Sequence, residues 1–364
     1  PSDFEKPSSM ILKKCPSNKN FRNEKKTLSS ADLIICLVQS GQVTRANRKI
    51  LQTVSQSSTP YFISCAPTYL GRNDDVFRYR IGARFENLIS VLVKKDYVAS
   101  LIARLPTWCL GIRKSDYALL LNPGRAGISN LVGNKTRLIQ AHHPDYDVFL
   151  EEQKKGHKQK NQAVFIDQNM PFHHDFLQSK TPSVNEEPYY AGLQKFLLKV
   201  EKRLSLEVVI AAHPRTEISK IQKYFGSRRI EKDATARLIL ESKLVFTHSS
   251  ISSYLAIMAN KPLVILTDKQ LWNVGIQRKF MQKLASASNA PLIFMDDEKE
   301  EICAKYFKVD HDRYREIKQT YIKKDGTAEL PIWEIALENV QKTLVAKGNP
   351  TVQNPGHLNL GGRQ

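Results

Sequence analysis

The sequence contains no run approaching the ~20 consecutive apolar residues that cross a bilayer, and its first thirty residues lack the apolar core of a signal peptide. A cytoplasmic protein is expected, with any membrane contact peripheral. Cysteine is scarce: Cys15, Cys36, Cys65, Cys109 and Cys303 are odd in number, scattered and never in a C-x-x-C pair. That spacing excludes a disulfide framework and a structural zinc and reads as core thiols in a reducing compartment. Zinc-finger spacing, an RNP-like aromatic run and a long basic helix are all missing, so no nucleic-acid partner is expected despite a net charge of +19. Such a charge also suits an anionic membrane face or a phosphorylated or acidic substrate.

What the chain does have is length for two domains of roughly 150 residues and enough apolar content, 41%, to fill their cores. Residues 1–30 form a polar, basic arm without periodicity. ADLIICLVQ, RANRKILQTVSQ and PYFISCA then read as strand, helix and strand, the building block of a parallel sheet. RFENLISVLVKKDYVASLIARL has the apolar spacing of amphipathic helices, YALLLNPGRAG is a strand running into a glycine turn, and TRLIQAHHPDYDVFLEEQ is a strand with a short helix. This first domain covers 31–155, and QKKGHKQKNQ, with no apolar residue, marks the linker.

The second half, 160–347, alternates more clearly: AVFIDQ, EVVIAAHP, LVFTH and PLVIL are strands, and YYAGLQKFLLKVEKRL, TEISKIQKYF and SSISSYLAIMAN are helices. A polar tail, 348–364, has the composition of a disordered segment. The expected class is α/β, with two Rossmann-like domains whose parallel sheets face a cleft and bind ligands at the carboxyl ends of their strands.

Three of those strand ends carry unusual polar residues. AVFIDQNMPFHHD places Asp167 and Gln168 after an apolar strand, where a carboxylate is costly unless paired or used. Asp167 either caps the turn around Asn169 or serves a sugar as nucleophile or general base. VVIAAHPRTE ends in His213, Pro214 and Arg215: the proline fixes the backbone and removes a donor, and the arginine is a forked cation suited to phosphate or carboxylate. LVFTHSSISSYL places His248, Ser249 and Ser250 before a helix, where the serines either cap it or share its N–H groups with a phosphate.

Asp-Gln, then His-Pro, then Ser-Ser before a helix and a KPLVIL strand resembles the bacterial GT-B glycosyltransferases that use CMP-activated nonulosonic-type sugars. The capsule and lipopolysaccharide Kdo transferases are the nearer relatives, and the sialyl- and polysialyltransferases the more distant ones. The resemblance spans about 160–270 by motif and the rest by domain pattern only. It implies that His213 and Pro214 contact cytidine monophosphate, that Ser249 and Ser250 hold its phosphate, and that Asp167 is the catalytic carboxylate. In the Kdo enzymes such an aspartate attacks the anomeric carbon with retention, whereas the sialyl enzymes invert with an acid from the other domain. After Gln168 the chain reads NMPFHHD in place of a Gly-Asp-Ser-like stretch, which leaves donor sugar and stereochemistry open.

The resemblance implies a CMP-sugar donor, an anionic or lipid-linked bacterial surface glycan as acceptor, peripheral contact with the inner membrane leaflet and no further cofactor. Arg215 is the first candidate for a donor anion, with Gln168 and His248 in support and Arg125 in PGRAG on the acceptor side, where a solvated turn arginine is the plainer reading. No metal site is expected: DYD at 145–147 follows His-His-Pro beside the linker, and the adjacent pairs His142–His143 and His173–His174 point apart on a strand. Three other readings share parts of this pattern: a CDP-polyol phosphotransferase of the teichoic acid type, a nonhydrolysing UDP-sugar epimerase, and a basic scaffold or nucleic-acid-binding protein.

Overall fold

The computed structural model describes residues 33–36, 43, 47–65, 67, 69–70, 105–121, 129–172 and 184–346. The arm, the tail, Arg125, His173, His174, Cys15 and most of the amphipathic stretch before Leu105 lie outside them. The chain divides into two compact units, one drawn from 1–66, 83–120 and 127–139, the other from 67–82, 121–126 and 140–364.

The first unit holds β1 (Ile34–Cys36), α1 (Arg48–Gln56), β2 (Tyr61–Cys65), β3 (Tyr117–Leu120) and β4 (Arg137–Gln140). Its strands lie side by side in chain order, with β1–β2 and β2–β3 parallel. Leu51 and Val54 turn the apolar stripe of α1 into a core with Ile34, Tyr61 and Ile63. Cys36 and Cys65 are core thiols, and burial pushes the Cys36 thiol up to about 12. Cys109 departs from the expected burial: it is exposed on a 3-10 turn, Thr107–Leu110, whose inward residues are Thr107 and Leu110.

In the second unit the chain runs α2 (Pro144–Lys154), β5 (Gln162–Ile166), α3 (Glu186–Leu204), β6 (Glu207–Ala212), α4 (Ile218–Phe225), β7 (Ile230–Lys232), α5 (Thr235–Glu241), β8 (Leu244–Thr247), α6 (Ser253–Met258) and β9 (Leu263–Thr267). It continues through α7 (Lys269–Asn273), α8 (Gly275–Ser288), β10 (Leu292–Phe294), α9 (His311–Ile317) and α10 (Ile332–Ala346). All five pairings of its sheet are parallel, in the order β10-β9-β8-β5-β6-β7. This is the Rossmann order, in which the first strand is flanked by the second on one side and the fourth on the other. β5, β6, β8 and β9 are mostly apolar, and β5, β8 and β9 are buried at every position.

The longest helix shows how sequence makes this unit. α3 buries Tyr189, Tyr190, Leu193, Phe196, Leu197 and Val200 at three- and four-residue spacing. Glu186 and Glu187 in its first turn, and Lys202 and Arg203 in its last, oppose the helix dipole at both ends. It stops at Ser205, whose φ of 51° takes the left-handed turn that ends many helices. Helix α2, which the sequence groups with the first half, packs on α5 and α6 of the second unit.

Candidate functional site

In a sheet of this order, the crevice lies at the carboxyl ends of the two strands where the winding reverses, here β5 and β8. Asp167 and Gln168 leave β5 at that point, and His248 and Ser249 leave β8. The ladder pairs Phe165 with Phe246 and Ile166 with Ala211, and the Asp167 N–H carries it one step further by donating to the Ala211 carbonyl at 2.9 Å. Continued to the strand ends, this register sets Gln168 between His213 and Ser249, with neighbouring chains about 4.8 Å apart.

A hydrogen bond closes one side of that row: the Ser249 N–H donates to Gln168 Oε1 at 2.8 Å. The Ser249 hydroxyl donates to Gln277 Oε1 on α8, so both donors of Ser249 are held by glutamine side-chain oxygens. Ser250 behaves as a cap, its hydroxyl accepting from the Ser252 N–H at 3.2 Å while its carbonyl accepts from Ser253 at 3.1 Å. The turn Ser249–Ser252 precedes α6, which is six residues long.

Across β5, the chain leaves β6 through a turn in which the Thr216 N–H donates to the His213 carbonyl at 2.8 Å, with Pro214 at the second position. His213 Nδ1 accepts from the Arg215 N–H at 3.1 Å. A ring nitrogen that accepts carries no proton, so the neutral His213 ring bears its hydrogen on Nε2. Pro214 and Arg215 are exposed, and His213 is half-buried. The same device recurs at the end of β4, where His143 Nδ1 accepts from the Asp145 N–H at 3.1 Å and caps α2.

Two residues take places other than those expected of them. Asp167 is 1% exposed: Oδ1 accepts from the Asn169 N–H at 2.9 Å, Oδ2 meets no partner among the described residues, and burial pushes the carboxyl up to about 6. A carboxylate with neither oxygen open to solvent does not reach an anomeric carbon in this conformation. The arrangement matches the capping alternative, an Asx turn that holds Asn169 at φ 50° and carries Gln168. His248 is fully buried, its Nδ1–H donating to the Leu266 carbonyl at 2.6 Å and its Nε2 accepting from the Tyr189 hydroxyl at 2.8 Å. Burial holds its pKa down to about 4, so the ring is neutral. With both nitrogens engaged in the core, His248 supports the Ser249 turn from below and offers nothing to a ligand.

Sequence reading missed Tyr189, Gln277 and Asp268. Asp268 carries the signature that singled out Asp167, an aspartate ending an apolar strand; it caps α7 through Leu271 N–H at 2.7 Å, and burial raises its pKa. Tyr189 and Gln277 carry no local signal, since each acts through a partner far away in the chain. The DYD stretch is structural, with Asp145 and Asp147 in the first turn of α2 and Asp147 accepting from the Ile332 N–H at 3.1 Å. The His142 ring turns to the Leu330 carbonyl at 2.8 Å, away from His143 Nδ1's partner at Asp145. Among the described residues no three His, Cys, Asp or Glu side chains group as a metal site would require, and no helix is long and apolar enough to cross a membrane.

Residues 135–299 match the model of the LIC12162 family transferase, a stretch that holds Asp167, Gln168, His213 and Ser249. No curated protein matches the chain. Similar solved structures include MnaA of S. aureus with UDP, at 12% identity over 96% of this chain and 86% of that one, with a TM-score of 0.42. The UDP-GlcNAc 2-epimerase of Methanocaldococcus jannaschii is 11% identical over 82% of this chain and 79% of that one, with a TM-score of 0.34. MurG of Acinetobacter baumannii is 10% identical over 76% of this chain and 62% of that one, with a TM-score of 0.33.

Proposed function

We propose that this protein is a glycosyltransferase that binds a nucleotide-activated sugar at the β5–β8 switch point, the donor being a CMP-activated sugar of the nonulosonic type. The observation that carries the reading is the Gln168–Ser249 hydrogen bond across that point, with the His213-Pro214 turn beside it. The transferase family match over 135–299 supports it, because the matched stretch contains every strand of the sheet through β10 and both sides of the crevice. In this reading the His213 Nε2–H and Arg215 face the nucleotide phosphate or the sugar carboxylate, while Ser249 exchanges its hydroxyl bond to Gln277 for a phosphate oxygen. Asp167 holds the turn that presents Gln168. The acceptor is an anionic surface glycan, free or lipid-linked, and the net charge of +19 favours its approach and that of the donor. The reaction needs no metal ion.

The test is release of free nucleotide from CMP-Kdo, CMP-N-acetylneuraminate and UDP-N-acetylglucosamine, with a bacterial capsule or lipopolysaccharide fraction as acceptor. Acceptor-dependent release of CMP is expected. Release of UDP alone, or inversion at C2 of the UDP-sugar without release, would replace this reading with a UDP-sugar enzyme.

A further inference from the structure

The Ser249 N–H fixes more than a turn. A backbone N–H only donates, so the Gln168 atom facing it at 2.8 Å is the amide oxygen, and the orientation of that amide is settled by chemistry. The Gln168 NH2 group therefore points away from Ser249. Among the described residues it has no hydrogen-bond partner, and it stands on the half-buried rim of the strand row between His213 and Ser249. His213 repeats the logic on the next strand, where the Arg215 N–H occupies Nδ1 and leaves the hydrogen on Nε2. The Gln168 side chain is thus held from behind by a backbone N–H group that forces its amide to present a donor. Among the described residues of these strand ends the carboxylate, Asp167, is turned inward and buried.

We propose that Gln168 is a ligand-binding residue whose amide NH2 donates to a phosphate oxygen of the donor nucleotide, and that Ser249 selects this function by holding its oxygen. The inference rests on the proposed nucleotide site and adds the residue that reads its anion. A purely structural Gln168 would need only its oxygen. A binding Gln168 needs its nitrogen, and the isosteric change Gln168→Glu separates the two, because glutamate keeps an oxygen for the Ser249 N–H while replacing the donor by an acceptor with negative charge.

The experiment is a titration of CMP and of cytidine into the parent, Gln168→Glu and Gln168→Met, at 0.15 M and 1 M salt, with melting temperatures recorded alongside. Gln168→Glu is expected to melt with the parent and bind CMP at least about tenfold more weakly, the size of one lost hydrogen bond to a charged group. Cytidine binding stays at the parent level. The deficit persists at 1 M salt, where charges more than about 3 Å apart are screened. Gln168→Met, which drops the donor without adding charge, is expected to show a smaller loss in the same direction and serves if the glutamate variant does not fold. CMP binding by Gln168→Glu at the parent level, or a deficit that disappears at 1 M salt, overturns the assignment while leaving the nucleotide site standing. A parent that binds neither CMP nor any other nucleotide overturns both.

Discussion

Replacing Asp167 by asparagine makes a sharp test, because the structure gives this carboxyl a cost as well as a role. Its Oδ1 bond to the Asn169 N–H is one that an asparagine oxygen also makes, so the turn carrying Gln168 survives the change. Its Oδ2 is buried without a partner among the described residues, and an amide nitrogen there is unpaired among them as well, so that exchange offsets little. The difference is charge. Burial raises the carboxyl from 3.8 to about 6 in the folded chain, so between those values the native state holds a proton that the unfolded state has released. Stability contributed by this group is full at low pH and falls as pH rises, and above about pH 6 the loss approaches ~3 kcal/mol at 1.36 kcal/mol per pH unit. His248, held down to about 4, acts in the opposite sense: its contribution is full above its ordinary value of 6.5 and is lost as pH falls toward 4. It is common to both proteins and cancels in the comparison. Asp167→Asn should therefore be about 1–3 kcal/mol more stable than the parent at pH 7.5, with the gap closing by pH 4. Urea unfolding followed by tryptophan emission reads the second unit, since Trp272 and Trp333 lie there and Trp108 is already 78% exposed. A less stable variant at pH 7.5, or a gap independent of pH, would refute the reasoning. The same variant should still bind CMP and turn over; complete loss of turnover with binding intact would restore Asp167 as the reacting carboxylate.

His213→Ala should weaken CMP binding by roughly tenfold, about one hydrogen bond, with little change in melting temperature because the turn lies at the surface; calorimetric titration reads this. His248→Ala removes two buried hydrogen bonds and strands the Tyr189 hydroxyl and the Leu266 carbonyl, so it should cost about 3–5 kcal/mol in urea unfolding, with any loss of function following loss of fold. Arg228→Lys breaks the fork that the guanidinium makes with both oxygens of Glu201 at 2.8 Å, from a side chain only 7% exposed; about 1–3 kcal/mol should be lost, measured the same way. EDTA should leave the CMP titration unchanged, since the proposed reaction uses no metal.

The second unit was legible where its strands are continuous apolar runs. AVFI, VVIAA, LVFT and LVILT announce buried parallel strands, and each appears. β7 did not announce itself, because Ile230–Lys232 is a three-residue edge strand with two charged residues and no alternation to detect. Nor did the elements after Asp268, where α8 mixes its buried Gln277, Met281 and Leu284 with small and polar residues. The first unit was less clear: its described strands are short and lie in chain order, with the expected parallel pairing of β1–β2 and β2–β3. At the site, the order of polar strand ends was readable, since each follows its strand directly. What each residue does there was not. Whether Asp167 faces in or out, and whether His248 meets a ligand or Tyr189, depends on partners 20 to 80 residues away that only the packed sheet brings together.

Nucleotide selectivity is the most direct measurement: thermal unfolding of the parent at fixed ionic strength with CMP, CDP, UDP and GDP. A ligand that binds only the folded state at a hundredfold excess over its Kd stabilises it by about 2.7 kcal/mol, enough to move the transition by several degrees. A CMP-activated sugar enzyme predicts a rise with CMP well above that with UDP or GDP. A rise confined to UDP contradicts the cytidine donor, and no rise with any of the four contradicts a nucleotide-sugar site at the β5–β8 switch point.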